Sequence, residues 1–187
     1  SVTNEAQFKN IEEAHLIGGD GNDEIIAEGF PGPATLEGGP GDDTIYAGSI
    51  GTLINGGDGA DFLEGGSGTD TLNGGDGVDT IRQIVDGDQV LTNTLITGVG
   101  NDSLSSIERA TLLGGNSNNV IDASGFTAGP VDLRGGNGND TLYGGSGDDT
   151  VHGGNGIDQV RQAADEEQVL NNVLLTGAGN DTLYSIE

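Results

Sequence analysis

The chain has 187 residues, with 31 acidic against 5 basic side chains, a net charge of −26, 37 glycines and no cysteine. That balance excludes nucleic acid as a partner, because binding phosphates takes Lys and Arg to displace counterions, and it excludes docking on anionic membranes. No apolar run approaches the roughly 18 residues of a membrane helix, so no membrane insertion is expected, and without cysteine there is no disulfide framework. Something else has to staple a chain whose glycines are entropically costly to order and whose acids repel one another. The surplus of carboxylates points to a cation. No signal peptide opens at Ser1, which fits a processed chain or a segment of a longer one.

In chain order, a nine-residue phrase dominates. GGDGNDEII starts at Gly18 and GGPGDDTIY at Gly38. GGDGADFLE, GGSGTDTLN and GGDGVDTIR then run without a gap from Gly56 to Arg82. GGNGNDTLY, GGSGDDTVH and GGNGIDQVR follow from Gly135, Gly144 and Gly153. Weaker copies fill the gaps. GFPGPATLE at Gly29 has Ala34 where the acid belongs, AGSIGTLIN at Ala47 has Thr52, and GGNSNNVID at Gly114 has Asn119. TGVGNDSLS at Thr97 and TGAGNDTLY at Thr176 lose only the first glycine.

A longer repeat lies above the short one. Gly74–Glu108 returns as Gly153–Glu187, and NIEEAHLIGGDGND at Asn10 matches SIERATLLGGNSNN at Ser106. This predicts a single continuous solenoid over residues 1–187, made of two tandem units, about 11–106 and 107–187. The apolar, β-branched stretches VLTNTLI and VLNNVLL are expected to be strands of the same solenoid.

Paired glycines permit positive φ and tight turns. The triplet after each turn, such as Phe62-Leu63-Glu64, reads as a short strand with its middle residue inward. Leu63, Leu72 and Ile81, with Ile25, Ile45, Leu142, Val151 and Val160, are the expected core. Two nonapeptides make one flattened coil, and coils stack as parallel strands at about 4.8 Å spacing. The predicted class is all-β, a right-handed parallel β-roll or β-helix solenoid.

Turns two nonapeptides apart fall on one edge of such a stack. Asp43, Asp61 and Asp79 then form a column that Asp23 begins. Asp70 lies on the other edge above Thr52. Asp140 and Asp158 are in register with Asn119, and Asp149 sits opposite. Carboxylates about 5 Å apart repel by roughly 1 kcal/mol per pair even in bulk-water dielectric. A cation between neighbours removes that cost. Carboxylate and glycine-carbonyl oxygens in a flexible cage favour Ca²⁺ over the smaller, more strictly octahedral Mg²⁺. With no Cys and only His15 and His152, zinc and copper are disfavoured.

The phrase GGxGxDxUx, where U is a large aliphatic residue, resembles the repeats-in-toxin (RTX) family of secreted calcium-binding proteins. The resemblance implies Ca²⁺ between same-edge turns, held by sixth-position aspartates and turn carbonyls. Carried to this chain, it implies Asp43, Asp61 and Asp79 with the carbonyls near Gly39, Gly41, Gly57, Gly59, Gly75 and Gly77. It also implies Asp140 and Asp158 with Gly136, Gly138, Gly154 and Gly156. Asp23, Asp70 and Asp149 match the motif too. Asp102 and Asp181 match as well, and spacing leaves open whether either has a same-edge partner. Roughly five to eight ions are expected. The family further implies type I secretion of an unfolded chain and folding in external calcium, so a secreted, extracellular or cell-surface location.

Other readings fit less well. A disordered acidic linker would not keep an aliphatic residue at one phase of nine. The EF-hand pattern is absent around Asp86-Gly87-Asp88, and the glycines lack the helix and lysine of a phosphate loop. Third-position Asp20, Asp58 and Asp76 are expected to be solvated turn side chains. Asp86, Asp88, Asp165, Glu166 and Glu167 are expected to lie in a solvated loop. Arg82 and Arg161 are expected to neutralise nearby acids. No arrangement for catalysis stands out. The function expected is a non-catalytic extracellular scaffold, a segment of an adhesin, surface layer or filament. Other copies stacked end to end are the expected partners. The alternative is the calcium-folding or secretion module of a larger secreted enzyme or toxin.

Overall fold

The computed structural model describes residues 10–161, 174–177 and 179–184. Strands follow the nine-residue clock. In chain order they are β1 (Ala14–Ile17), β2 (Glu24–Ile26), β3 (Ala34–Pro40), β4 (Thr44–Tyr46), β5 (Thr52–Gly59) and β6 (Phe62–Glu64). Next come β7 (Thr71–Gly77), β8 (Thr80–Ile84), β9 (Gln89–Thr92), β10 (Leu95–Gly98), β11 (Gly100–Ser105) and β12 (Arg109–Leu113). The series ends with β13 (Val120–Gly125), β14 (Val131–Asn137), β15 (Thr141–Tyr143), β16 (Thr150–Asn155), β17 (Gln159–Arg161), β18 (Leu174–Gly177) and β19 (Gly179–Tyr184). There is no helix among the described residues.

The strands form two facing sheets of a β-solenoid. Ten lie in the order β1-β3-β5-β7-β11-β10-β9-β13-β15-β17, and nine in the order β18-β19-β16-β14-β12-β8-β6-β4-β2. Almost all neighbours pair in parallel, because each strand meets the strand one full coil later. Short triplets such as β4 and β6 alternate half-buried, buried, half-buried, since successive side chains point to opposite faces.

The core is therefore a file of single aliphatics. Ile25, Ile45, Leu63, Ile81 and Ala110 stand in direct register along one sheet. Leu36, Ile54, Leu72 and Leu104 do so along the other. All are buried, as are Leu142 and Val151, while Val160 is partly buried against them. Each such side chain contributes about 1.5–3 kcal/mol, so no single coil buries enough to stand alone, whereas a stack does. Phe126, the largest fully buried side chain, was not anticipated from the repeat.

One departure breaks the parallel pattern. The stretch containing VLTNTLI joins the ten-stranded sheet as expected, but β10 runs antiparallel to both β9 and β11. Asn93 and Thr94 turn the chain between β9 and β10, and Val99 turns it between β10 and β11. Leu91 and Ile96 still point inward and are buried. β18 and β19 form the same antiparallel pair, Leu174 facing Thr182 as Leu95 faces Ser103. Gln83 and Gln89 are buried here as well, Gln83 Nε2 donating to Gln89 Oε1 at 3.1 Å and Gln89 Nε2 to the Leu113 carbonyl at 2.9 Å.

This meander has a consequence for the edges. It occupies one sheet with three strands where a plain coil would place one. Counted by edge crossings, the long repeat then spans an odd number of half-coils. Glycine-bearing β3, β5 and β7 lie in the ten-stranded sheet, but their later counterparts β14 and β16 lie in the nine-stranded one. Equivalent aspartates of the two long copies consequently sit on opposite edges.

Candidate metal centre

The turns before Asp43, Asp61, Asp79, Asp140 and Asp158 are shaped by the glycines at their second and fourth positions. Gly39, Gly57 and Gly75 have φ of 111°, 125° and 112°, and Gly41, Gly59 and Gly77 have φ of 137°, 134° and 147°. Gly136, Gly138, Gly154 and Gly156 repeat this at 103°, 112°, 109° and 131°. L-residues avoid this region. A methyl group at Gly57 would also overlap the carbonyl oxygen of Gly39, and one at Gly75 that of Gly57. The second-position carbonyls thus form a file along the edge, each turned toward the next coil. The first glycine is constrained differently: a methyl at Gly38 or Gly56 would overlap the sixth-position carboxylate of its own turn and the carbonyl of the next coil.

The sixth-position aspartates form ladders. Asp23 N–H donates to Asp43 Oδ1, Asp43 N–H to Asp61 Oδ1 and Asp61 N–H to Asp79 Oδ1, each at 2.8 Å. On the other edge, Thr52 N–H donates to Asp70 Oδ1 at 2.6 Å and Asp70 N–H to Asp102 Oδ1 at 2.9 Å. Later on that edge, Asn119 N–H donates to Asp140 at 2.8 Å and Asp140 N–H to Asp158 at 2.9 Å. Asp149 returns to the first edge, where its Oδ1 accepts from Val131 N–H at 2.9 Å. The structure thus gives Asp102 a same-edge partner. The side chain of Asp181 lies outside the described residues.

Each ladder uses one carboxylate oxygen and leaves the other. The Oδ2 atoms of Asp23, Asp43, Asp61, Asp70, Asp79, Asp140 and Asp158 are buried with no hydrogen-bond partner among the described residues. A buried carboxylate oxygen without a partner costs several kcal/mol. Burial pushes the Asp61 and Asp102 carboxyls up to about 6. Around Asp61 the charges of Asp79, Asp43 and Asp42 add to this, while its bond to the Asp43 N–H works against it. Burial likewise raises Asp70, Asp79 and Asp140. All these oxygens are hard ligands, and no three His, Cys, Asp or Glu side chains converge among the described residues. A cation at these turns must therefore take much of its shell from backbone carbonyls. The donor set suits calcium and not a soft metal.

Several residues of the edges escaped the sequence reading. Fifth-position side chains make a second ladder of opposite direction: Asp42 Oδ1 accepts from Ala60 N–H at 2.9 Å, and Asn139 Oδ1 from Ile157 N–H at 2.8 Å. The recurring Asn or Asp at that position was the available signal. Glu108 closes the first column, its Oε2 accepting from Asp79 N–H at 3.0 Å. It does so because β12 pairs with β8 and sets Arg109 opposite Thr80. Asn119 turns its Oδ1 to Gly115 N–H at 3.0 Å, so this turn offers a neutral side chain where others offer charge.

Asp20, Asp58 and Asp76 are exposed, as expected of turn tips. Asp86 and Asp88 are exposed too, but they are not simply solvated. Asp86 Oδ1 accepts from Ser117 N–H at 2.9 Å and Asp88 Oδ1 from Val120 N–H at 2.8 Å, tying the loop to the second long copy. Asp165, Glu166 and Glu167 lie outside the described residues. Arg82 pairs with Glu64 at 2.6 Å and covers the Phe62 ring. Arg161 has no acidic partner among the described residues: the position one coil back is Tyr143, and the guanidinium lies over that ring and donates to Gln159 Oε1 at 3.2 Å.

The family model of the RTX calcium-binding nonapeptide repeat matches residues 15–29, 28–49, 52–81, 132–160 and 170–185, more than half of the chain. The chain belongs to this RTX family. Its glycine–aspartate turns are thus RTX calcium-binding repeats, and its solenoid is an RTX β-roll. The matched stretches skip residues 82–131, where the antiparallel meander and the Asn119 turn depart from the RTX pattern. No curated protein matches the chain.

Proposed function

We propose that calcium held between successive turns on both edges drives this chain into its β-roll, and that the folded solenoid serves outside the cell as a non-catalytic scaffold. The observation that carries this is the column of buried, unpartnered Oδ2 atoms. In the proposed sites Asp43, Asp61 and Asp79 act with carbonyls of Gly39, Gly41, Gly57, Gly59, Gly75 and Gly77. On the other edge Asp140 and Asp158 act with Gly136, Gly138, Gly154 and Gly156. Asp23, Asp70, Asp102 and Asp149 extend the columns, and roughly five to eight ions fill them. Bound calcium supplies positive charge and completes the hydrogen-bond-starved carboxylates. Without it the acids keep the chain unfolded, so metal affinity appears as folding free energy.

The scaffold reading draws on the same geometry. A stack held by metal at its edges and by single aliphatics inside is long, stiff and extendable, as a segment of an adhesin, surface layer or filament requires. The two histidines are engaged separately, His15 with Glu37 on an exposed face and His152 against Tyr184 with ring centroids 4.3 Å apart. A far-UV circular dichroism titration of chelator-treated protein with Ca²⁺, with Mg²⁺ as control, tests the reading. A coil-to-β transition that calcium alone produces is expected. A chain already β-folded in chelator and indifferent to calcium would overturn it.

A further inference from the structure

The chain contains one junction between its long copies, and the residues that form it recur at the two ends of the ten-stranded sheet, with no further strand neighbour among the described residues. At the internal junction β8 pairs with β12 in parallel, Ile81 facing Ala110 and Arg82 facing Thr111. Asp79 N–H donates to Glu108 Oε2 at 3.0 Å. Ile107 and Leu112 are 3% and 0% exposed there, and Phe126 is fully buried.

Asn10–Asp23 repeats Ser106–Asn119, so Ile11, Glu12, Ala14, His15 and Leu16 correspond to Ile107, Glu108, Ala110, Thr111 and Leu112. Phe30 likewise corresponds to Phe126. Here, however, Ile11 is 43% and Leu16 41% exposed. They line an apolar groove of about 460 Å³ together with Ala14, Ile26, Ala27 and Phe30. β1 ends its sheet, so one side of the strand has no neighbour among the described residues. At the far end of that sheet lies β17, the counterpart of β8: Gln159-Val160-Arg161 repeats Thr80-Ile81-Arg82.

We propose that β17 of one copy pairs in parallel with β1 of a second copy, with Val160 facing Ala14, Arg161 facing His15, and Asp158 N–H donated to Glu12. The occupant is another copy of this chain, because the counterpart of this groove receives β8 at the internal junction and β17 repeats β8. Both strands already belong to the same sheet, so the junction continues the sheet without rotating it. The contact is head-to-tail and does not close on itself, so it grows a filament. Ten strands per copy at about 4.8 Å give an axial repeat of roughly 48 Å. The proposal rests on the calcium-folded β-roll described above, since copies of charge −26 repel until calcium fills their edges.

The chain has no cysteine, which allows a clean test. Chains carrying Arg161→Cys are mixed with chains carrying His15→Cys, in calcium and under mild oxidation, with folding followed by circular dichroism. Facing positions of parallel neighbours lie within disulfide reach. The expected result is a heterodisulfide far in excess of either homodisulfide, with mass rising with concentration in sedimentation. Leu16→Glu, which leaves the internal junction intact, should weaken association about tenfold or more while leaving the calcium-induced spectrum unchanged. A chain that gains β-structure with calcium but stays monomeric at every concentration refutes the junction and leaves the calcium reading standing. That is also how capping of β1 by residues 1–9 would appear. Homodisulfides as abundant as heterodisulfides refute it as well. A chain that folds and cross-links equally in chelator sinks the calcium reading and leaves the junction.

Discussion

Replacing Asp61 by Asn separates the two demands that the columns make. The substitution keeps the shape of the side chain and the Oδ1 that accepts Asp43 N–H at 2.8 Å, and it removes one charge from between Asp43 and Asp79. Without calcium, two like-charge contacts disappear, each worth roughly 1 kcal/mol at about 5 Å in water. The metal-free fold should therefore gain about 1–2 kcal/mol. With calcium, a charged oxygen ligand is lost, about 1.5–3 kcal/mol, so the calcium midpoint should rise about ten- to a hundredfold. The sign of the effect thus reverses between the two states. Osmolyte-driven folding in chelator reads the first effect and a calcium titration by circular dichroism the second. Asp58→Asn is the control, an equal change of net charge on an exposed side chain of the same turn. If both variants move the calcium midpoint alike, the columns act only through net charge, and the argument from buried Oδ2 atoms fails.

Three further outcomes follow from the same geometry. Gly57→Ala places a side chain at φ 125° and against the Gly39 carbonyl, and should cost about 2 kcal/mol or more, whereas Gly87→Ala, whose nearest neighbour is Val85 Cγ2 at 3.9 Å, should change thermal stability little. Phe126→Ala should destabilise by about 3–5 kcal/mol in denaturant unfolding, and Phe30→Ala by clearly less, because Phe30 is only partly buried. Acid should act in opposite directions with and without metal. The carboxyls of Asp61 and Asp102 are raised to about 6 in the fold, so their contribution to metal-free stability is present below the usual carboxylate range and lost as pH rises through about 6. In chelator, lowering pH from about 7 to about 4 should increase β-structure, and in limiting calcium it should release metal, because protons compete for the same oxygens. Unchanged calcium binding across that window would contradict the placement of these carboxyls.

The nine-residue clock by itself determined the coil, the inward residue of each strand and the columns of aspartates. The reason is local: glycines at fixed phase allow only certain turns, and a period-two strand after each turn leaves one residue for the core. Leu63, Leu72 and Ile81 could be placed inside, and Asp43, Asp61 and Asp79 in one file, from spacing alone. The other features depended on which strands finally meet. VLTNTLI reads as strand in any direction, because a short apolar run carries no polarity, and only pairing with β9 and β11 turned β10 antiparallel. That meander moved equivalent aspartates to opposite edges, which no nonapeptide encodes. Glu108 became the end of the first column only because β12 stacks on β8. Arg82 and Arg161 are identical in the repeat yet differ in partner, since what lies one coil back is Glu64 for one and Tyr143 for the other. A repeat fixes what each coil is, and long-range register fixes what each coil touches.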